Sequence, residues 1–273
     1  MIDLHVHTWR CRHATGTVEE YVRAAAERGV RTLAFTEHMP MPPALATAVP
    51  GADGYAMPVE ELPEYMTDLA RAAAVGRAEG VEVLAGIEID AIPQGLEHAA
   101  GLLDGSAFDI VLGSVHFIDS WAFDDPERTA GYDAWDIAAL WERYFEDVAV
   151  AARSGLVDVI AHADLVKKFC RYPAGPVEHL YERAAEQFAE AGVAVEVNTA
   201  GLRKPCREIY PAPAFLKALR RRGVAVTMGS DAHAPADVGA GAAEALAALR
   251  DAGYTSAVVF RKRQPMEVYL DEL

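Results

Sequence analysis

The 273-residue chain is poor in cysteine, in long apolar runs and in positive charge. Its three cysteines, Cys11, Cys170 and Cys206, form no CxxC pair. So sparse and odd a set argues against a disulfide framework and reads as reduced thiols. Cys11 lies among histidines and is carried only as a secondary soft-ligand candidate. No apolar run reaches the roughly 18 residues that span a bilayer, so no membrane partner is expected. The N-terminus does not read as a signal peptide, because Asp3, His5, His7, Arg10 and Arg12 break any apolar core. The expected location is therefore cytoplasmic. Basic residues number 25 against 41 acidic ones, a formal net charge of −16. That balance repels a nucleic-acid duplex, so no nucleic-acid partner is expected. A small anion could still bind if metal ions or a local Lys/Arg cluster supplied the field. The chain also lacks an internal repeat, a low-complexity tail and a dividing linker.

What is present is a composition 52% hydrophobic and 24% charged, enough for a large core. Nearly continuous apolar runs fall at Ile2–His7, Thr32–Glu37, Val81–Ile89, Ile110–His116, Val157–His162, Val193–Asn198 and Val224–Ser230. Continuous rather than alternating hydrophobicity predicts strands buried on both faces. Helical patterns fill the gaps. Thr17 and Glu20 fit a capping box, followed by Val18, Tyr21, Val22 and Ala25 on one face and a stop at Gly29. Ile137, Leu140, Trp141, Tyr144 and Val148 make a second stripe, and Leu180, Tyr181, Ala184 and Phe188 a third, closed by Gly192. Strand and helix alternate as βαβ units, which implies a parallel sheet. Seven units favour an α/β barrel over an open sheet, as one domain over residues 1–273. Met39–Pro63 reads as a long loop after the second strand, and Ala257–Val268 as one further strand. The oligomeric state is left open, a homo-oligomer included.

Seven of the nine histidines sit at or just past strand C-termini: His5, His7, His13, His38, His116, His162 and His233. Glu88 (in AGIEID) and Asp231 (in GSDAH) sit at strand ends too. All strand C-termini of a barrel open on one face, so these nine should converge. Residues two apart on a strand share a face, so His5 and His7 can grip one ion, and Asp231 and His233 repeat the spacing. Imidazole and carboxylate together suit zinc, manganese or iron. Nine ligands exceed one ion and suit a cluster of two or three, with Glu88 able to bridge. His98 and His179 read as surface or satisfied histidines. Two reaction classes fit: amide or ester hydrolysis by an amidohydrolase-type centre, which also opens with HxH, and phosphoester hydrolysis. The number of histidines and the extra group His13, His38 and His233 favour phosphate, whose oxygens span several cations.

In order along the chain, HVH, RCRH, TEH, GIE, SVH, AHAD and GSDAH resemble the motifs of the PHP (polymerase and histidinol phosphatase) superfamily. SVHFIDSWAFD, DLVKKF, NTAGLRKPCREIYP and MGSDAH resemble its stand-alone histidinol-phosphatases. The resemblance implies a distorted (β/α)7 TIM-like barrel holding three divalent metal ions. Carried over, His5, His7, Glu88 and Asp231 would hold the first. Glu88, His116 and His162 would hold the second, and His13, His38 and His233 the third. It implies hydrolysis of L-histidinol phosphate in histidine biosynthesis; the alternative is another small phosphomonoester, a nucleotide or a phosphodiester.

The expected mechanism has a hydroxide shared by the first two ions attack phosphorus, with the third ion holding phosphate oxygens. Glu88, Asp231 and His233 are the candidate catalytic residues, with the last two or a metal-bound water as the proton source for the leaving alcohol. Arg203 and Lys168 are the preferred phosphate contacts, ahead of Arg10, Arg12, Lys167, Lys204 and Arg207. Arg220, Arg221 and Arg222 are expected to be exposed on a helix. Asp119, Asp124 or Asp164 would meet a cationic amine. Asp3 is expected to support a metal ligand.

Overall fold

The computed structural model describes residues 1–43 and 54–273. Seven parallel strands make one sheet: β1 (Ile2–Val6), β2 (Thr32–His38), β3 (Glu82–Asp90), β4 (Ile110–Ser114) and, after a small hairpin of β5 (Phe117–Ile118) and β6 (Trp121–Ala122), β7 (Val159–Ile160), β8 (Ala194–Asn198) and β9 (Val226–Gly229). They follow chain order around the sheet. A parallel bridge between Val6 and Ala232 brings the last strand back to the first. There the His7 N–H donates to Ala232 O at 3.0 Å, and the Asp231 N–H to His5 O at 2.8 Å. The result is a nearly closed seven-stranded barrel, as the seven apolar runs led one to expect.

Helices α1 (Val18–Glu27), α2 (Leu62–Glu79), α3 (Pro93–Leu103), α4 (Ile137–Arg153), α5 (Glu178–Ala191), α6 (Pro213–Arg221) and α7 (Ala242–Asp251) are the longer ones described. Helix α1 begins with the expected capping box between Thr17 and Glu20. Its face of Val18, Tyr21, Val22 and Ala25 is buried, each large side chain worth roughly 1.5–3 kcal/mol against exposure. In α4 the buried stripe is Leu140, Trp141, Tyr144, Phe145 and Val148, after an Asp136 cap that accepts from the Ala139 N–H. Helix α5 stops at Gly192, whose φ of 71° is left-handed.

Two expectations change. The span expected as the loop 39–63 is described only in part; a 3-10 turn at Val59–Glu61 and the start of α2 lie inside it. The last expected strand is a hairpin, β10 (Ser256–Arg261) and β11 (Gln264–Tyr269), antiparallel and outside the barrel sheet. The tight turn at Lys262 and Arg263, both with positive φ, folds it back on itself. Among the described residues no helix is long and apolar enough to cross a membrane.

Candidate metal centre

The pleat of β1 sends His5, at its penultimate position, and His7, just past its end, into the mouth of the barrel, both buried. Each ring is fixed from behind by a glutamate on another strand of the barrel. His5 Nδ1–H donates to Glu196 Oε1 on β8 at 2.8 Å, and His7 Nδ1–H to Glu37 Oε1 on β2 at 3.2 Å. With Nδ1 protonated, the Nε2 atoms of neutral rings carry lone pairs. Those two Nε2 atoms lie 3.1 Å apart, so either a shared proton or a cation must lie between them.

Glu88, fully buried on β3, sits at the centre. Its Oε1 faces His162 Nε2 at 3.1 Å and His116 Nε2 at 3.8 Å. Its Oε2 faces His5 and His7 Nε2, both at 3.6 Å, and His38 Nδ1 at 2.9 Å. Although that last pair is close, neither buried atom has a hydrogen bond. Asp231 Oδ1 lies 3.3 Å from His7 Nε2 and 3.5 Å from His233 Nδ1. The His233 ring stacks on His7 and on His13, with centroids 4.2 and 4.8 Å apart. Potential donor atoms of His13, His38 and His233 lie within 4.8 Å of one another, as do those of His5, His7 and Glu88. All nine candidate side chains therefore meet at one mouth. Two of them have left-handed backbones, His162 (φ 28°) and Asp231 (φ 53°). Such strain persists where surrounding bonds fix it; the Glu196 carboxylate accepts from the His162 N–H at 3.0 Å, and His5 O from the Asp231 N–H.

The electrostatics divide the cluster. Burial lowers the His13 pKa to about 4, with His38 and His7 adding to it. Burial and the charge on His7 lower His38 and His233 as well. Neutral imidazole, the ligand form, is thus preset at these three. For His7 and His116 burial also works downward, but carboxylates outweigh it and raise them to about 9 and about 10. Burial pushes Glu88 and Asp231 up, yet the imidazoles around them carry both well below the usual carboxylate range. Unbonded buried donor atoms, facing lone pairs and this imidazole–carboxylate set fit divalent ions.

The mouth is a cavity of about 460 Å³ that Lys168, Arg203 and Lys204 line on one side. Lys168 Nζ is 3.0 Å from Asp124 Oδ2, and one Arg203 nitrogen donates to Ser230 O at 2.8 Å. Lys204, ranked behind both in the sequence, has no side-chain bond or ion pair among the described residues; burial lowers its pKa. Arg128 lines the cavity too, its Nε 3.1 Å from Asp125 Oδ2, whereas the other cations singled out in the sequence do not reach it. Arg10 is buried against Asp68, Glu61 and Glu64, and Arg12 pairs with Glu61, so both clamp α2 and the turn before it to the loop after β1. Lys167 is buried against Asp164 and Ile209 O. Arg207 is exposed and bonds to Leu202 O. Of the three acids, only Asp124 lines the cavity; Asp119 pairs with Arg143, and Asp164 with Lys167. Asp3 has no hydrogen bond to a candidate ligand's side chain among the described residues: it accepts from Ser230 N–H and O–H and from the Gly239 N–H, bracing the loop that carries Asp231. His179 is exposed and paired with Glu142, but the Nε2 of half-buried His98 has no partner among the described residues.

Sequence reasoning missed Glu37, Glu196, Asp90 and Tyr55. Asp90 accepts from His116 Nδ1–H at 2.9 Å, and the Tyr55 hydroxyl, 2.5 Å from the same nitrogen, donates to Asp90. A signal existed for the acids: each interrupts an apolar strand run, where an ionisable group is rarely found without a partner. Tyr55 carried none, since its neighbourhood is loop.

Fold and cluster together define a barrel whose mouth gathers groups of histidines and carboxylates that could hold metal ions. Residues 3–200 match the PHP domain family, and the chain belongs to that family. A Deinococcus radiodurans protein named "Probable histidinol-phosphatase" is 41% identical over 267 residues, covering 97% of this chain and 98% of that protein. The "Histidinol-phosphatase" of Bacillus subtilis is 28% identical, covering 87% of this chain and 95% of its own. The fold matches a histidinol phosphate phosphatase from Lactococcus lactis, solved with zinc, L-histidinol and phosphate, at TM-score 0.81 and 20% identity, over 97% of this chain and 98% of that one.

Proposed function

We propose that the chain is a metal-dependent phosphomonoesterase that hydrolyses L-histidinol phosphate to L-histidinol and phosphate, acting as one domain over residues 1–273. The observation that carries this reading is Glu88, whose two oxygens face two different sets of histidines. That is the arrangement of a bridging carboxylate. The relative from Deinococcus, matched along almost its whole length, supports the substrate.

Three divalent ions, zinc, manganese or iron, fit the donor set. His5, His7, Glu88 and Asp231 would hold one, Glu88, His116 and His162 a second, and His13, His38 and His233 a third. Ions so held would supply positive charge for phosphate oxygens and make water nucleophilic at neutral pH. The chain's own groups do the rest. Arg203 and Lys168 hold the phosphate, Arg203 with its guanidinium already oriented by Ser230 O. Lys204, without an ion pair among the described residues, adds a charge beside them. Asp231, ionised, and neutral His233, adjacent in the mouth, relay to the leaving alkoxide the proton that the attacking water gives up. Asp124, held ionised against burial by Lys168 and His116, meets the substrate amine. The Tyr55 and Phe117 rings form part of the cavity wall.

The test is kcat/KM of metal-loaded protein on histidinol phosphate beside a panel of phosphomonoesters, nucleotides and cyclic phosphodiesters. Histidinol phosphate should be the best substrate. Slow release of phosphate from it, with rapid cleavage of another ester, would overturn the substrate and leave the alternative phosphoesterase.

A further inference from the structure

Two carboxylates behind the metal site bind no cation of their own. Glu37 and Glu196 are fully buried, and among the described residues neither pairs with Lys or Arg. Each instead collects donors from two parts of the candidate ligand set. Glu196 Oε1 accepts from His5 Nδ1–H at 2.8 Å, while its Oε2 accepts from the His162 N–H and Asn198 Nδ2, both at 3.0 Å. Glu37 Oε1 accepts from His7 Nδ1–H at 3.2 Å and the His38 N–H at 2.9 Å. Its Oε2 accepts from the Thr8 N–H at 2.8 Å, the Thr8 hydroxyl at 2.5 Å and the Cys11 N–H at 3.2 Å. The Cys11 carbonyl in turn accepts from His13 Nδ1–H at 2.7 Å.

We propose that these two glutamates are positioning residues that couple the filling of the three ion sites, Glu196 joining the first to the second and Glu37 the first to the third. The inference rests on the three-ion assignment above. A buried carboxylate without a positive partner is costly, so each is held in place by whatever positive charge its imidazole carries. An ion on His5 strengthens the bond that its Nδ1–H already gives Glu196, and the same carboxylate holds the strained backbone of His162. An ion on His7 acts through Glu37 on His38 and, by way of Cys11, on His13. Such coupling is reciprocal: each ion strengthens the other by the same factor. A glutamine cannot replace either residue, because it offers one acceptor and one donor. At position 196 it can accept from His5 or from the His162 N–H, not from both.

The experiment strips the protein with a chelator, adds zinc in steps, and reads occupancy at each position by anomalous diffraction and total affinity by competition with a chromogenic chelator. Wild type should take about three ions per chain; fewer than two would refute the three-ion assignment itself. With three bound, Glu196→Gln should weaken the first and second ions about 10- to 100-fold and spare the third. Glu37→Gln should weaken the first and third by a similar factor and spare the second. The cobalt-loaded electronic spectrum should change at the weakened positions only. Glu196→Asp, which keeps two acceptors, should restore part of the lost affinity and keeps the test open if a glutamine variant fails to fold. Uniform loss at all positions in both variants, or wild-type affinities in both, would overturn the coupling while leaving the ion assignment standing.

Discussion

Gly229, the glycine of GSDAH, gives a sharp test of how the site is assembled. It ends β9 and faces His5 and Glu196. A methyl there would fall on Glu196 Oε1 and come within 2.5 Å of the His5 Cβ. Neither neighbour can yield freely: His5 is fixed in β1, and Glu196 is tied to His5, His162 and Asn198. Overpacking of this kind costs about 1–3 kcal/mol, and losing the charge-assisted bond to His5 about 1.5–3 kcal/mol. Gly229→Ala should therefore destabilise the metal-stripped protein by about 3–6 kcal/mol, a large share of the usual 5–15 kcal/mol. At about 2–4 °C per kcal/mol the melting temperature should fall by roughly 6–24 °C. Zinc affinity should fall with it, because His5 is displaced. Thermal melts of stripped protein and chelator competition measure the two effects. Gly101→Ala is the control: on α3 its methyl meets nothing within 4 Å, and the change should stabilise by about 0.5–1 kcal/mol. A Gly229→Ala protein that melts within 2 °C of wild type, roughly 1 kcal/mol or less by the same conversion, and binds zinc normally would refute the close approach and its role.

Glu88→Gln should leave the circular dichroism spectrum unchanged and cut kcat/KM on the order of 10³-fold; wild-type rates would refute the bridging role. Lys204→Ala should raise the inhibition constant of inorganic phosphate about 5- to 10-fold, the worth of one partly exposed charge-assisted contact; no change would remove Lys204 from the phosphate site. In the stripped protein the pKa values of His7 and His116 are raised, to about 9 and about 10. Their contribution to stability is therefore full below about pH 6.5 and is lost as pH rises through 9–10. Ions compete for the same nitrogens, so zinc affinity must rise over that window. The gap in melting temperature between loaded and stripped protein should widen from pH 6.5 to 9, and a constant gap would count against proton–metal competition at these rings.

Much was legible in one dimension. Continuous apolar runs marked all seven barrel strands to within a few residues, because a strand covered on both faces must be apolar throughout. The capping box of α1 and the stop of α5 are local and were read directly. The nine histidines and acids at strand ends followed from a rule of barrels: strands run parallel, so their ends gather. What the sequence could not decide was pairing. Arg10 and Arg12 lie between candidate ligands, yet α2 and the turn before it supply Glu61, Glu64 and Asp68, and the guanidinium groups turn to them instead of the cavity. Asp3 shares a strand with His5 but serves Ser230 and Gly239, some 230 positions away. Glu37 and Glu196 showed only as charges in apolar runs until β2 and β8 brought them against the rings of β1. Residue type and strand period determined which side chains could hold ions. Tertiary structure alone decided which charge neutralises which, because a buried ion pair is set by a few ångströms of approach between segments far apart in the chain.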